Sequence, residues 1–170
     1  MTPGSADPPI LVLGVGNALL GDDGAGLLLL SELALDHEDW GDGVEFLDGG
    51  TQGLALLDRI AGRRALLVLD AVALGAEPGT VHVLNRWNRS DVRASTAHES
   101  NVAELLQTST LLGECPHHVT IVGIEPERIA TGIGISAPVA SAMGCALAAA
   151  RRELSRFTLP SPFSGAIDSQ

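Results

Sequence analysis

Aromatic residues are nearly missing from this 170-residue chain: they make up 3% of it, and there is no tyrosine. A core built almost without rings must be aliphatic, drawn from the Leu, Val, Ile and Ala that dominate a 45% hydrophobic share. Cysteine is equally scarce. Cys115 and Cys145 share no metal-site or redox spacing, so reduced thiols in a cytoplasmic protein are expected. Positive charge is in deficit, with 10 Lys and Arg against 21 Asp and Glu and a formal net charge of −11. That balance argues against nucleic acid and anionic membranes as partners, and suits a cationic or metal-bearing one. No apolar run reaches membrane-spanning length, and none follows the basic start of a signal peptide. Two hydrolase signatures are absent as well. There is no Gly-x-Ser-x-Gly elbow and no His-Glu-x-x-His helix, which disfavours an ordinary serine hydrolase or a zincin.

What is present begins at Ile10. Ile10 to Val15 is an unbroken apolar run, the mark of a strand covered on both faces. Gly14, Gly16 and Asn17 interrupt it, and a leucine-rich helix follows Gly26. Strand, glycine turn and helix together open a doubly wound α/β domain. The turn invites a dinucleotide-binding reading, with Asp48 standing where a ribose-binding acid would. However, the third glycine of that pattern is replaced by Leu19, and Asp22 and Asp23 stand where a pyrophosphate would meet the helix N-terminus. Two carboxylates there would repel it. Capping of the helix accounts for Asp22. Asp23 is left over, on a turn above the sheet edge where open α/β folds place their ligands.

Further along, Val44 to Leu47 reads as a second strand ending in Asp48, and Thr51 is placed to cap a helix running to Ala61. Ala65 to Val72 is a third buried strand, interrupted only by Asp70. The link to Val81–Leu84 is too short for a parallel crossover, so this fourth segment should run antiparallel at an edge. On local pairing alone it would sit beside strand three. Asn85 to Ala97 is polar and irregular and leads to His98; Asn101 to Leu112 reads as a helix. Val119 to Ile124 is the fifth strand, and Ser136 with Pro138 starts a long helix from Ala137 to Phe157. These elements define one domain over residues 10–157, between a disordered N-terminus (1–9) and a flexible tail (158–170). No internal repeat is visible.

The chemistry gathers at the carboxyl ends of the strands. In a flavodoxin-like order strands one and three are neighbours, which brings the loops of Asp23 and Asp70 together. A carboxylate inside a buried strand needs a partner, either nearby amides or a metal. His98 lies on the chain segment that must return to the same edge. Two carboxylates and an imidazole can hold a divalent cation while leaving coordination positions open. The remaining histidines are weaker candidates: His37 near a helix end, His82 on an edge strand, and His117 and His118 after Cys115 at the opposite, amino-terminal edge.

Taken in order, Gly14-Val15-Gly16-Asn17, Asp22-Asp23-Gly24-Ala25-Gly26, Asp48-Gly49-Gly50-Thr51-Gln52-Gly53, Leu69-Asp70-Ala71, Ala97-His98-Glu99 and Val122-Gly123-Ile124-Glu125-Pro126-Glu127 resemble the maturation endopeptidases of NiFe hydrogenases. The resemblance covers nearly everything from Ile10 to about Leu154. It implies a three-layer α/β/α fold whose five-stranded mixed sheet has the order 2-1-3-5-4, strand four being antiparallel. It implies removal of a C-terminal extension from the hydrogenase large-subunit precursor after nickel insertion. The family's metal-contacting acid, strand-end Asp and loop His fall on Asp23, Asp70 and His98, which the resemblance casts as both metal-contacting and catalytic. Many members carry Glu where this chain has Asp23. Nickel would arrive with the substrate, with Zn or Cd able to stand in for it in vitro, and the enzyme itself is expected to be a monomer. Two other readings stay open on the residues alone: a metal-binding chaperone that recognises the large subunit without cutting it, and a dinucleotide-binding enzyme.

Overall fold

The computed structural model describes residues 8–85 and 100–159. The strands are β1 (Ile10–Val15), β2 (Val44–Gly50), β3 (Ala65–Ala71), β4 (Val81–Leu84) and β5 (His118–Ile124). The helices are α1 (Ala25–Ala34), α2 (His37–Trp40), α3 (Leu57–Ile60), α4 (Ser100–Leu112) and α5 (Ala137–Thr158). The five strands form one sheet in the order β2-β1-β3-β5-β4, parallel throughout except for β4 against β5.

Strand periodicity explains the layers. On β1 and β3, Ile10, Val12, Ala65, Leu67 and Leu69 pack on one face against α1 and α5. The intervening Leu11, Leu13, Leu66 and Val68 pack on the other against α3 and α4. Both faces being covered, the strands carry no polar alternation, and each fully buried Leu or Val contributes about 1.5–3 kcal/mol over its exposed state. The same parity assigns Asp70 to the face of Leu66 and Val68, beneath α4.

The sheet order is the one that the family resemblance implies, while three readings drawn from local spacing alone are corrected. First, β4 does not lie beside β3, as local pairing suggested; β5 intervenes. The link after Ala71 passes over the end of β5. Val72 N–H donates to Ile124 O, Gly79 N–H to the carbonyl of Glu125, and Glu125 N–H to Thr80 O. The Glu125 carboxylate accepts the N–H groups of Leu74 and Gly75, both at 2.9 Å, and pairs with His82 Nε2 at 2.8 Å. A carboxylate supplied late in the chain thus fastens the crossing. Second, no helix runs from Thr51 to Ala61. Gly53 adopts φ 51°, and the segment becomes a 3-10 turn (Gly53–Leu56) followed by the single turn of α3. Third, Asp22 caps no helix; its role is described with the site.

At the chain ends, Pro8 O and Pro9 O already accept hydrogen bonds from Arg63 and from the Arg64 and Ala65 amides. Residues 1–7 and 160–170 lie outside the described residues.

Candidate active site

The site is assembled where three strand ends meet. β1 stops at Gly16, whose φ of 126° turns the chain sharply. A β-carbon there would sit 1.9 Å from the carbonyl oxygen of Asp23, so only glycine lets the next turn fold back this closely. That next turn is a single 3-10 element, Asp22–Gly24. Asn17 N–H donates to Asp23 Oδ2 at 2.8 Å, and Asn17 Oδ1 in turn accepts Leu19 N–H at 2.9 Å.

Asp70 comes from β3, beside Gly123 of β5, and accepts the N–H of Ala71 at 2.7 Å through Oδ1. The amide-bonding expectation for this residue therefore holds alongside its exposure to the cleft. The third wall is the end of β2. The pairing of β1 with β2 shifts between Gly14 and Val15, so Gly14 faces Asp48 and Val15 faces Gly50. This bulge swings Gly50 and Thr51 over the sheet edge, as bulges beside functional sites commonly do. Asp48 Oδ1 fixes the turn by accepting Gly50 N–H at 2.9 Å.

Asp23 and Asp70 open onto one cleft of about 420 Å³, its solvent mouth included. Its floor is apolar, from Val15, Leu56, Val102 and Leu105; Thr51 and Asn101 are its other polar side chains. Both acids are largely withdrawn from water, at 5% and 8% exposure. Two carboxylates from separate strand ends, aimed into one partly apolar cleft, can receive a metal cation or a substrate N–H. The hydroxyl of Thr51 and the amide of Asn101 add donors. His98 lies outside the described residues; Asn101, three residues further on, stands in the first turn of α4 and lines the cleft. Among the described residues no three His, Cys, Asp or Glu side chains gather into a metal-holding group.

Two further carboxylates hold the loops around the site through partners that are remote in sequence. Asp22, read as a helix cap, is 1% exposed and reaches across to the loop before α5. Its Oδ2 accepts Glu127 N–H (2.9 Å), Arg128 N–H (3.1 Å) and the Ser136 hydroxyl (2.9 Å), and its Oδ1 accepts Ser136 N–H (2.6 Å). Burial alone would raise its pKa, but these donors outweigh burial and hold it below the ordinary carboxylate value. Glu125 behaves alike: burial opposes ionisation, and the amides of Leu74, Gly75 and Ala76 together with His82 overcome it. No local spacing marks either residue, because their partners stand 105–114 and 43–51 positions away. The other histidines are remote in role: His82 belongs to the Glu125 pair, and His118 stacks on Phe157 at the start of β5.

Residues 29–153 match the family model described as hydrogenase maturation protease. The chain is similar to the hydrogenase expression/formation protein HupD of Rhodobacter capsulatus, 36% identical over 152 residues, 85% of this chain and 70% of that one. It is 36% identical over 137 residues to the hydrogenase 2 maturation protease of Escherichia coli, covering 79% and 82% of the two chains. Against HupD of Thiocapsa roseopersicina, 35% identical over 130 residues, the match takes 73% of this chain but spans only 57% of the relative. Among solved structures, the hydrogenase maturating endopeptidase HybD of E. coli shares the fold at a TM-score of 0.77 and 32% identity, over 87% of this chain and 93% of that one.

Proposed function

Because the chain belongs to the hydrogenase maturation protease family, we propose that it is the endopeptidase that removes the C-terminal extension of a NiFe hydrogenase large-subunit precursor once nickel has been inserted. Asp23, Asp70 and His98 recognise the nickel carried by that substrate. The observation that carries this reading is the opening of Asp23 and Asp70, from different strand ends, onto one cleft. His98 enters through the family resemblance and its place three residues before Asn101 of the cleft.

The chemistry suits a protease without a nucleophile motif. Nickel held by the substrate can polarise the scissile carbonyl or lower the pKa of a water, while a carboxylate of the cleft accepts the proton that the attacking water must lose. An apolar floor keeps competing solvent out and strengthens these charge interactions. Thr51 and Asn101 are placed to donate to substrate carbonyls. The enzyme is proposed to act as a cytoplasmic monomer, and among the described residues no helix is long and apolar enough to cross a membrane.

The test is mass spectrometry of a nickel-loaded large-subunit precursor, coexpressed with this chain or without it. Loss of a C-terminal peptide only in the presence of the chain supports the proposal. A stable complex with an uncut precursor would favour a metal-dependent chaperone instead.

A further inference from the structure

We propose that Asp22 is a positioning residue: by latching the Asp22–Gly24 turn to the loop of residues 127–136 it sets the place of Asp23 in the cleft. This rests on the reading of Asp23 as a nickel-facing group. A three-residue 3-10 turn has almost no stability of its own, so something outside it must fix its orientation. On one side Gly16 packs against the carbonyl of Asp23 and Asn17 N–H holds the Asp23 carboxylate. On the other side the four hydrogen bonds to Asp22 come from three residues of a loop more than 100 positions away. Backbone bonds run parallel to them, from Gly21 N–H to Gly132 O (2.9 Å), from Gly132 N–H to Leu19 O (3.0 Å) and from Ala130 N–H to Leu20 O (3.3 Å). The adjacent aspartates thus divide their tasks. Asp22 spends both oxygens on the loop, and Asp23 keeps its Asn17 bond and faces the cleft.

An amide at position 22 cannot replace the carboxylate. Every partner of Asp22 is a donor, so Asn would set an NH₂ against an N–H on one side or the other. The turn must then shift, and a displacement of about 1 Å at a reacting group can cost roughly 100-fold in rate.

The experiment uses the full chain with nickel-loaded precursor, and follows kcat, KM and the amide resonance of Asn17, which reports the bond to Asp23 directly. Asp22→Asn should fold, lower kcat/KM about 10- to 100-fold per folded molecule with a loss in kcat itself, and move the Asn17 amide. Ser136→Ala, which loses only the hydroxyl donor, should show a smaller loss in the same direction, and Ser136→Thr should restore it. A merely structural role would lower the melting temperature while leaving kcat per folded molecule and the Asn17 resonance as in the wild type. That result in Asp22→Asn, or in Ser136→Ala should Asp22→Asn not fold, overturns the proposal. If the wild type itself does not cut the precursor, the protease reading fails, and the Asn17 resonance still decides the latch.

Discussion

Gly26 rests directly on Asp70. A β-carbon at position 26 would lie 2.8 Å from the Cα of Asp70, 2.3 Å from Leu69 O and 2.4 Å from Val15 O. All three are backbone atoms, so the first turn of α1 is seated on the ends of β1 and β3. The contact sets how near the Asp23 turn, two residues before α1, comes to Asp70.

Gly26→Ala should therefore destabilise the fold by about 1–3 kcal/mol, the usual cost of overpacking a tight contact. Thermal melts should show it as a loss of roughly 2–4 °C per kcal/mol. A melt equal to the wild type would mean that α1 shifts freely, and that the approach of the two loops is not set here.

Asp23→Asn and Asp70→Asn should stay folded and lose activity by about 100-fold or more, the scale of removing one group that stabilises charge in a transition state. The amide keeps the shape and one acceptor while the charge goes. Losing a buried carboxylate also removes its desolvation cost, so neither variant should melt earlier by much. Cleavage assays beside circular dichroism decide this. An inactive Asp22→Asn beside a fully active Asp23→Asn would reverse the roles given to the two aspartates.

Weak binding of one Ni²⁺, Zn²⁺ or Cd²⁺ is expected of the isolated protein, at Asp23, Asp70 and His98. Three ligands, two of them carboxylates, hold such ions poorly against water. Calorimetry on Asp70→Ala and His98→Ala should show the binding weakened, and an unchanged isotherm in both would place the metal elsewhere.

Cleavage should depend on nickel in the precursor. A half-built site binds a metal-loaded substrate strongly and an empty one feebly, and that differential contact is what permits selection. Nickel-free precursor, mixed with the enzyme and a chelator, should keep its extension by mass. Efficient trimming under those conditions would leave an ordinary carboxylate protease.

Acid should loosen the loops around the site. The folded-state pKa values of Asp22 and Glu125 lie below their ordinary 3.8 and 4.5, since their hydrogen bonds outweigh burial. Stabilisation from a depressed carboxylate is complete above its unfolded-state value and is lost as pH falls through the folded one. Melting temperature should thus decline below about pH 4.5, and Glu125→Gln should flatten that decline. An acid limb identical in the variant would remove Glu125 from the account.

Much of this protein is legible in its sequence. Ile10–Val15 and Ala65–Ala71 announce buried strands because both faces are covered, and the short link to Val81 requires an antiparallel β4. Asp70 stood out because a carboxylate is costly inside an apolar run. The Asp23 turn was marked by glycines whose backbone conformations other residues avoid. Tertiary structure alone decided the rest. β5 separates β3 from β4, which the family resemblance implied but local spacing did not, and Glu125, far along the chain, fastens the crossing link by accepting its amides. Asp22 is a latch and not a cap because its four donors arrive from the loop before α5. Local spacing records periodicity and turn chemistry, but a hydrogen bond across a hundred residues leaves no period behind; it exists only once the sheet has brought its partners together.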